Sequence, residues 1–130
     1  MTPTPPVVRV LLVEDNDVYR SSLELLLGLQ QGLEVVGAVG TGSEAADAAT
    51  RLRADVVLMD FRLPGLDGAS ATRDVVATSG AAVVCLTAEA SEEEREEIMR
   101  AGARGLVEKG DAVEALAAAI RSAADPESIV

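Results

Sequence analysis

The sequence predicts an α/β fold, a doubly wound sheet of five parallel strands with helices on both faces. Five short apolar runs alternate along the chain with segments that have helical spacing. The runs are rich in Val or Leu and lack the alternation of a half-exposed strand, which is typical of strands buried on both faces. Regular alternation of strand and helix favours parallel strands joined by right-handed crossovers.

The apolar runs give the expected strand positions, and the segments between them give the helices. The predicted strands are residues 7–13, 33–39, 56–59, 82–86 and 105–107. The last helix has the clearest pattern, one apolar stripe formed by Val113, Leu116, Ala117, Ile120 and Ala124. Its start is predicted at Asp111, with Glu114 following in the spacing of a capping box.

The fourth helix is predicted to begin at Ser91, which has the capping-box spacing with Glu94. Its only large apolar side chains are Ile98 and Met99, so little of it can be buried. A segment with few buried apolar contacts opens at a low free-energy cost. We therefore expect this helix to be the most mobile element of the domain.

The composition predicts a single acidic domain over residues 7–124, with a flexible leader at 1–6 and a tail or the start of a linker at 125–130. The chain has 130 residues, which fits one domain. Its net charge of −11 would repel a phosphate backbone, so direct nucleic-acid binding is not expected. No apolar run approaches the roughly 18 residues of a membrane span. The single cysteine, Cys85, is expected to be a buried thiol, which fits a reducing, cytoplasmic compartment.

Polar side chains come after four of the five predicted strands. Glu14 and Asp15 follow the first strand, and Asp60, Thr87 and Lys109 follow the third, fourth and fifth strands respectively. Ligands of open parallel sheets bind at the carboxyl ends of the strands, so these side chains are expected to converge there. Each residue alone has a structural explanation, such as a helix cap or a solvated surface charge. The complete set at successive strand ends indicates a functional site.

Three carboxylates that lie close together repel one another and favour a bound cation. Oxygen ligands with room left for water suit Mg²⁺, with Mn²⁺ as the alternative. The ammonium of Lys109 can hold a phosphoryl oxygen, and the hydroxyl of Thr87 can donate to another. One carboxylate could then attack a phosphoryl donor, because the cation and the lysine neutralise the developing charge.

Four segments closely resemble the receiver domains of bacterial two-component response regulators. They are residues 11–15 (LLVED), 59–68 (MDFRLPGLDG), 86–88 (LTA) and 102–109 (GARGLVEK), and the likeness extends over residues 7–124. Residues 35–37 (VVG) and the GARG segment look most like the receivers that precede a LuxR-type helix-turn-helix domain. The resemblance implies a flavodoxin-like sheet in the order 2-1-3-4-5 and a switch controlled by phosphorylation.

The resemblance also implies roles for individual residues. Asp60 becomes the phosphoacceptor, Thr87 the hydroxyl that moves toward the phosphoryl group, and Lys109 its ion-pair partner. Ala88 fits the small residue that leaves the acceptor accessible. The protein ligands of Mg²⁺ would be Glu14, Asp15, Asp60 and the backbone carbonyl of Arg62.

The chain contains no histidine, so by resemblance the phosphoryl group comes from a sensor histidine kinase, a phosphotransfer protein or a small phosphodonor. Phosphorylation would then change the surface formed by the fourth helix, the fifth strand and the fifth helix. In the family this surface serves for homodimerisation or for contact with an output domain. A role in transcription regulation follows from the same resemblance.

Two positions depart from the family pattern, and one pair of residues is expected to tune the site. Leu106 stands where the family usually has an aromatic switch residue, so an apolar plug at Leu106 is the expected substitute. Gly110 follows Lys109 where many members have proline, and a cis peptide bond is not expected there. Arg62 and Glu89 lie at positions that tune dephosphorylation in the family, and we expect a salt bridge between them to slow attack by water.

Three other functions are compatible with parts of the sequence. Residues 40–45 (GTGSEA) fit a dinucleotide-binding pattern, but they follow the second strand rather than the first. A phosphatase with an aspartate nucleophile would have a second acid where Arg62 stands. A receiver without phosphorylation, acting only as a docking module, would not need the intact set of five site residues.

Overall fold

A computed structural model describes residues 7–63 and 66–125 of the chain. The elements in chain order are strand β1 (Val8–Val13), helix α1 (Asp17–Gly28), β2 (Leu33–Val39), α2 (Ala45–Arg51), β3 (Val56–Asp60), α3 (Gly68–Ser79), β4 (Ala82–Thr87), α4 (Glu92–Arg100), β5 (Gly105–Glu108) and α5 (Val113–Ala124). The predicted strands are all present, and their ends lie within one residue of the prediction. The predicted leader at 1–6 and residues 126–130 of the predicted tail lie outside the described residues.

The five strands form one sheet in the order β2-β1-β3-β4-β5, and neighbouring strands are parallel. This confirms the predicted doubly wound topology. The chain moves from β1 outward to β2 and then back across to β3, so the strand order changes direction between β1 and β3. A crevice opens beyond the carboxyl ends of the strands at such a point, and ligands bind there in open α/β sheets.

The sheet separates two aliphatic cores. On one face α1 and α5 pack through Leu23, Leu27, Leu116 and Ile120. On the other face α2, α3 and α4 pack through small side chains, with Val75 and Ile98 as the largest helix residues. Strands β3 and β4 are buried along their whole length, as expected for central strands covered by helices on both sides.

Cys85 lies on β4 and is fully buried, as predicted. Burial raises the pKa of its thiol to about 11, although a contact with the Thr72 hydroxyl at 3.7 Å acts in the opposite direction. A thiol with such a pKa holds its proton near neutral pH and is a poor nucleophile. Cys85 is therefore a core residue of this domain.

The starts of α4 and α5 differ in how far they follow the prediction. Ser91 caps α4, and its hydroxyl accepts a hydrogen bond from the amide of Glu94 at 3.1 Å. The predicted start of α5 at Asp111 is wrong, because the residue that caps this helix is Ala112. The Asp111 carboxylate instead accepts a hydrogen bond from the amide of Glu108 at 2.9 Å and closes the turn after β5.

Helix α4 is attached to the domain through one fully buried side chain. Ile98 is completely buried, whereas Met99, the other large apolar residue, is 56% exposed. The prediction that little of α4 is buried is confirmed. Because its apolar contacts are few, α4 can be displaced at a lower cost than the other helices.

In residues 7–63 and 66–125, no helix combines the length and the apolar character needed to cross a membrane.

Candidate functional site

The carboxylate of Asp60 ends β3 and contacts the ammonium of Lys109, which follows β5. Their atoms Oδ2 and Nζ are 3.1 Å apart. The same Nζ lies 2.8 Å from Oε1 of Glu14, the residue that follows β1. Asp60 and Glu14 are only 3% and 1% exposed. Two buried acids and one ammonium from three strand ends therefore meet at the predicted edge of the sheet.

Glu14, Asp15 and Asp60 form the acidic cluster that the sequence predicts. One carboxylate oxygen from each residue lies within 4.8 Å of the others, and Asp15 is exposed to solvent. Oε2 of Glu14 accepts a hydrogen bond from the amide of Asn16 at 3.0 Å. Oε1 is buried and, despite its short contact with Lys109, accepts no well-directed hydrogen bond among the described residues.

The charges and donor atoms of the cluster test whether it fits a cation. Three carboxylates exceed the single ammonium by two charges. The donor set consists of oxygens alone and one of its members is open to solvent, which suits a hydrated Mg²⁺ ion. The residues present therefore fit the predicted metal.

Lys109 is held in its charged form. Burial by itself would lower the pKa of its ammonium, but its close contacts with the carboxylates of Glu14 and Asp60 outweigh burial and raise the pKa. The ammonium therefore remains protonated over the whole neutral range. It offers a fixed positive charge beside the Asp60 carboxylate.

Thr87 ends β4, next to the strand that carries Asp60. Asp60 is paired in register with Leu86, and Thr87 is therefore one position further toward the carboxyl edge. The Thr87 side chain is buried, and its hydroxyl donates only a long hydrogen bond of 3.4 Å to the carbonyl of Glu89. Ala88, the next residue, is exposed. The hydroxyl is thus weakly engaged at the site edge.

Arg62 contacts Asp60 through its backbone and α4 through its side chain. Its amide donates to Oδ1 of Asp60 at 3.0 Å, and its guanidinium pairs with Glu94 at 2.5 Å. The predicted salt bridge between Arg62 and Glu89 is therefore wrong. Glu94 lies in the first turn of α4 with its side chain only 20% exposed, whereas Glu89 lies in the exposed segment before the helix.

Leu106 lies on β5, paired in register with Cys85 of β4. It is half-buried and packs against the core on the α2, α3 and α4 face of the sheet. An aliphatic side chain thus occupies the position at which the family pattern has an aromatic.

Tyr19 and Arg20 belong to the surroundings of the site and were not predicted from the sequence. The Lys109 ammonium lies 5.1 Å from the centroid of the Tyr19 ring. Arg20 donates from Nη1 to the backbone carbonyl of Glu14 at 2.7 Å and fixes the turn that carries the acidic pair. Tyr19 is the only tyrosine of the chain and lies in the first turn of α1, shortly after the acidic pair. This closeness to Glu14 and Asp15 is the sequence feature that could have indicated its place near the site.

The glycine pattern at residues 40–45 has a packing explanation. A Cβ atom on Gly42 would lie 2.5 Å from the backbone carbonyl oxygen of Leu66. Only glycine permits this approach of the loop after β2 to the loop before α3. The pattern lies at the start of a three-residue 3₁₀ helix, Gly42–Glu44, which explains it without a nucleotide.

The fold and the site together define a class of protein. A doubly wound sheet with two acids after β1, an acid at the end of β3, a hydroxyl at the end of β4 and a lysine after β5 is the arrangement of a receiver domain. The sequence profile described as the response regulator receiver domain matches residues 10–121, and the chain belongs to this family.

Several curated relatives of the chain are response regulators. Response regulator GacA of Pseudomonas aeruginosa is 35% identical over 88% of this chain and 54% of its own length. Transcriptional regulatory protein LiaR of Bacillus subtilis is 33% identical over 93% of this chain and 58% of its own length. The chain therefore spans little more than half the length of the curated relatives that it matches.

Solved structures agree with the fold. The signal receiver domain of NarL from Mycobacterium tuberculosis superposes with a TM-score of 0.86 at 26% identity, over 92% of this chain and 98% of that one. A LuxR-family response regulator from Aurantimonas superposes with a TM-score of 0.85 at 28% identity, over 91% of this chain and 85% of that one. The receiver domain of the sensor histidine kinase PA1611 from Pseudomonas aeruginosa superposes with a TM-score of 0.79 at 35% identity, over 91% of this chain and 98% of that one. That receiver holds a magnesium ion in its active-site cleft. Together these similarities support a receiver of the LuxR type.

Proposed function

We propose that this domain accepts a phosphoryl group on the carboxylate of Asp60 and acts as the switch of a two-component system. The observation that carries the proposal is the buried Asp60 carboxylate, 3.1 Å from the Lys109 ammonium and within the acidic cluster of Glu14 and Asp15. The donor is the phosphohistidine of a sensor histidine kinase or phosphotransfer protein, or a small phosphodonor. The proposal includes a cytoplasmic location, which the unpaired thiol of Cys85 fits.

In the proposed reaction an oxygen of Asp60 attacks phosphorus. A new O–P bond forms while the P–N bond of phosphohistidine breaks, and the imidazole leaves with the electron pair. Lys109 holds a phosphoryl oxygen and balances negative charge as it develops, which is a role that a fixed ammonium fills well. The buried acids would otherwise repel the incoming dianion.

Mg²⁺ is part of the proposal, with Mn²⁺ as the alternative. The residues that would hold the ion are Glu14, Asp15, Asp60 and the backbone carbonyl of Arg62. When bound, it would neutralise charge on the phosphoryl oxygens. The cluster of oxygen donors from Glu14, Asp15 and Asp60 supports this assignment, as does the magnesium in the related PA1611 receiver.

The switch follows from the charge change at Asp60. A phosphoryl group of about −2 charge offers strong acceptors to the hydroxyl of Thr87, whose present hydrogen bond to Glu89 is long. Inward movement of Thr87 would let Leu106 of β5 follow and would bias α4, which one buried residue attaches to the core. We propose that the face formed by α4, β5 and α5 then binds an output domain or a second copy, in a regulator of transcription.

Incubation with Mg²⁺ and acetyl phosphate, followed by intact mass spectrometry, tests the function. An adduct of one phosphoryl group is expected in the wild type. It should be absent in Asp60→Asn and without a divalent cation, but present in the matched control Asp74→Asn, which changes an exposed acid on α3. A wild-type protein that takes up no phosphoryl group from acetyl phosphate or from a histidine kinase would favour the docking-module alternative.

A further inference from the structure

Tyr19 contacts both ends of Lys109 and joins α1 to the loop after β5. The ammonium lies 5.1 Å from the centroid of the Tyr19 ring, within the range in which an aromatic face attracts a cation. The Tyr19 hydroxyl donates a long hydrogen bond of 3.4 Å to the backbone carbonyl of Lys109. The ring therefore acts on the side chain of the lysine, and the hydroxyl acts on its backbone.

The position of the Lys109 ammonium decides the charge balance of the site. Its Nζ atom lies 3.1 Å from Asp60 and 2.8 Å from Glu14, and Lys109 is the only lysine of the chain. A lysine side chain has a large rotamer entropy that opposes a single position. Two carboxylates attract the ammonium toward the acids, and the ring of Tyr19 adds an uncharged third contact.

Hydrogen bonds hold the backbone on both sides of the lysine. The Lys109 amide donates to the carbonyl of Thr87 at 2.8 Å, and the turn that follows is closed by the Asp111 carboxylate, which accepts from the Glu108 amide at 2.9 Å. The Tyr19 hydroxyl adds its long hydrogen bond to the Lys109 carbonyl. Because the backbone has these other supports, the ring contact with the side chain is the part of Tyr19 that we expect to matter most.

We propose that Tyr19 is a positioning residue for phosphoryl transfer, whose ring face holds the Lys109 ammonium beside Asp60. The inference rests on the proposed function and adds a residue to it. Tyr19 acts through Lys109 rather than on the phosphoryl group. Because the lysine charge matters most as charge develops in the transition state, loss of the ring should lower the rate at saturating donor more than it changes the half-saturating concentration.

The contact can be measured without any assay of phosphorylation. Labelled lysine gives one set of side-chain NMR signals, because the chain has a single lysine. We expect a nuclear Overhauser effect between the Lys109 methylene protons next to Nζ and the Tyr19 ring. In Tyr19→Leu these protons should lose their ring-current shift, and in Tyr19→Phe they should keep it. A wild-type protein that shows neither the nuclear Overhauser effect nor the ring-current shift would overturn the inference. This outcome is readable even if Tyr19→Leu does not fold.

The kinetic test uses the same variants with acetyl phosphate and Mg²⁺. Tyr19→Leu should form the adduct about threefold to tenfold more slowly at saturating donor, the range that a partly buried cation–π contact implies. Tyr19→Phe should stay within about twofold of wild type, as should Leu25→Ala, which changes an exposed residue of the same helix. An unchanged rate in Tyr19→Leu, or an equal loss in Tyr19→Phe, would overturn the role of the ring. No adduct in the wild type would instead defeat the proposed function, and the NMR comparison would still decide the contact.

Discussion

Arg62 and Glu94 join the loop after β3 to the first turn of α4 through a side-chain ion pair of 2.5 Å. The amide of Arg62 also donates to Oδ1 of Asp60. One residue therefore contacts the proposed phosphoacceptor through its backbone and the least buried helix through its side chain. The second carboxylate oxygen of Glu94 is buried without a hydrogen bond among the described residues, so the pair satisfies only half of this carboxylate.

Arg62→Ala should shorten the lifetime of the phosphoryl group. The Arg62 backbone contacts Asp60 and its guanidinium pairs with Glu94, so we expect loss of the side chain to open the loop beside Asp60 to water that attacks the phosphorus. An ion pair with one exposed partner contributes up to about 1 kcal/mol, so the expected change is roughly twofold to fivefold. The decay of the adduct by intact mass after removal of the donor measures it.

A double-mutant cycle identifies the partner of Arg62. Arg62→Ala should have a smaller effect on the lifetime in a Glu94→Gln background than in the wild type. It should keep its full effect in a Glu89→Gln background, which is the matched control. Full additivity with Glu94→Gln would show that the ion pair does not position the guanidinium.

Lys109→Gln should slow adduct formation by roughly 100-fold, the usual loss when one group that stabilises transition-state charge is removed. The initial rate with acetyl phosphate and Mg²⁺ measures the change. Arg100→Gln removes an exposed cation from α4 and should leave the rate within about twofold of wild type. A Lys109→Gln protein with the wild-type rate would remove the ammonium from the proposed reaction.

Mg²⁺ should stabilise the folded domain, and Asp15→Asn should reduce this stabilisation. An ion present at about 100 times its dissociation constant adds about 2.7 kcal/mol to the free energy of unfolding. Without metal, Asp15→Asn should be slightly more stable than wild type, because it removes one of three mutually repelling acids. Urea unfolding with and without Mg²⁺ measures both effects, with Asp47→Asn as a control at an exposed acid on α2. An equal gain from Mg²⁺ in all three proteins would exclude Asp15 as a ligand.

The phenol of Tyr19 should titrate above its ordinary value. Burial is the main cause that raises its pKa; the charge of Lys109 lowers the pKa, and the carboxylates of Glu14 and Asp60 raise it. The folded state therefore keeps the proton longer than the unfolded state. The contribution of Tyr19 to stability is complete below pH about 10 and is lost as the pH rises through the folded pKa.

Phenolate absorbance measures this titration directly, since Tyr19 is the only tyrosine and the chain has no tryptophan. The midpoint should be higher in the folded protein than in urea. Lys109→Gln should raise the folded midpoint further, because it removes the positive charge that favours the phenolate. A midpoint that falls in Lys109→Gln would contradict the contact between the two residues.

Gly68→Ala should destabilise the domain and disturb the loop that carries Arg62. A Cβ atom at Gly68 would overlap the backbone of Phe61, whose carbonyl also accepts the Gly68 amide hydrogen bond. Overpacking of this kind costs about 1–3 kcal/mol. Gly28→Ala is the matched control, because a Cβ atom there meets nothing within 4 Å and alanine favours the helix by up to about 1 kcal/mol. Urea unfolding should therefore move the two midpoints in opposite directions.

The strands could be predicted closely because their signal is local. Each is a mainly apolar run with polar, glycine or proline residues on either side, and the central strands β3 and β4 are buried throughout. The convergence of Glu14, Asp60 and Lys109 could be predicted as well, since parallel strands must bring their carboxyl ends to one edge.

Three features could not be predicted because they depend on the path of a loop or on competition between partners. Asp111 has the spacing of a helix cap, yet its carboxylate accepts from Glu108 instead. Arg62 could reach either of two acids, and the path of the chain before α4 selects Glu94. The contact between Tyr19 and Lys109 joins residues that are 90 positions apart, and no local pattern indicates it.

Because α4 is attached to the core by few contacts, the ionic strength of the solution affects how firmly it is held. The helix carries five glutamates and two arginines over Glu92–Arg100, and Ile98 alone is buried. Burial of Ile98 stabilises the attachment by about 1.5–3 kcal/mol, whereas each exposed ion pair of the helix contributes at most about 1 kcal/mol. Exposed charges are screened over about 8 Å at physiological ionic strength. Higher salt should therefore weaken the ion pairs of α4, including the pair with Arg62, and leave the Ile98 contact in place.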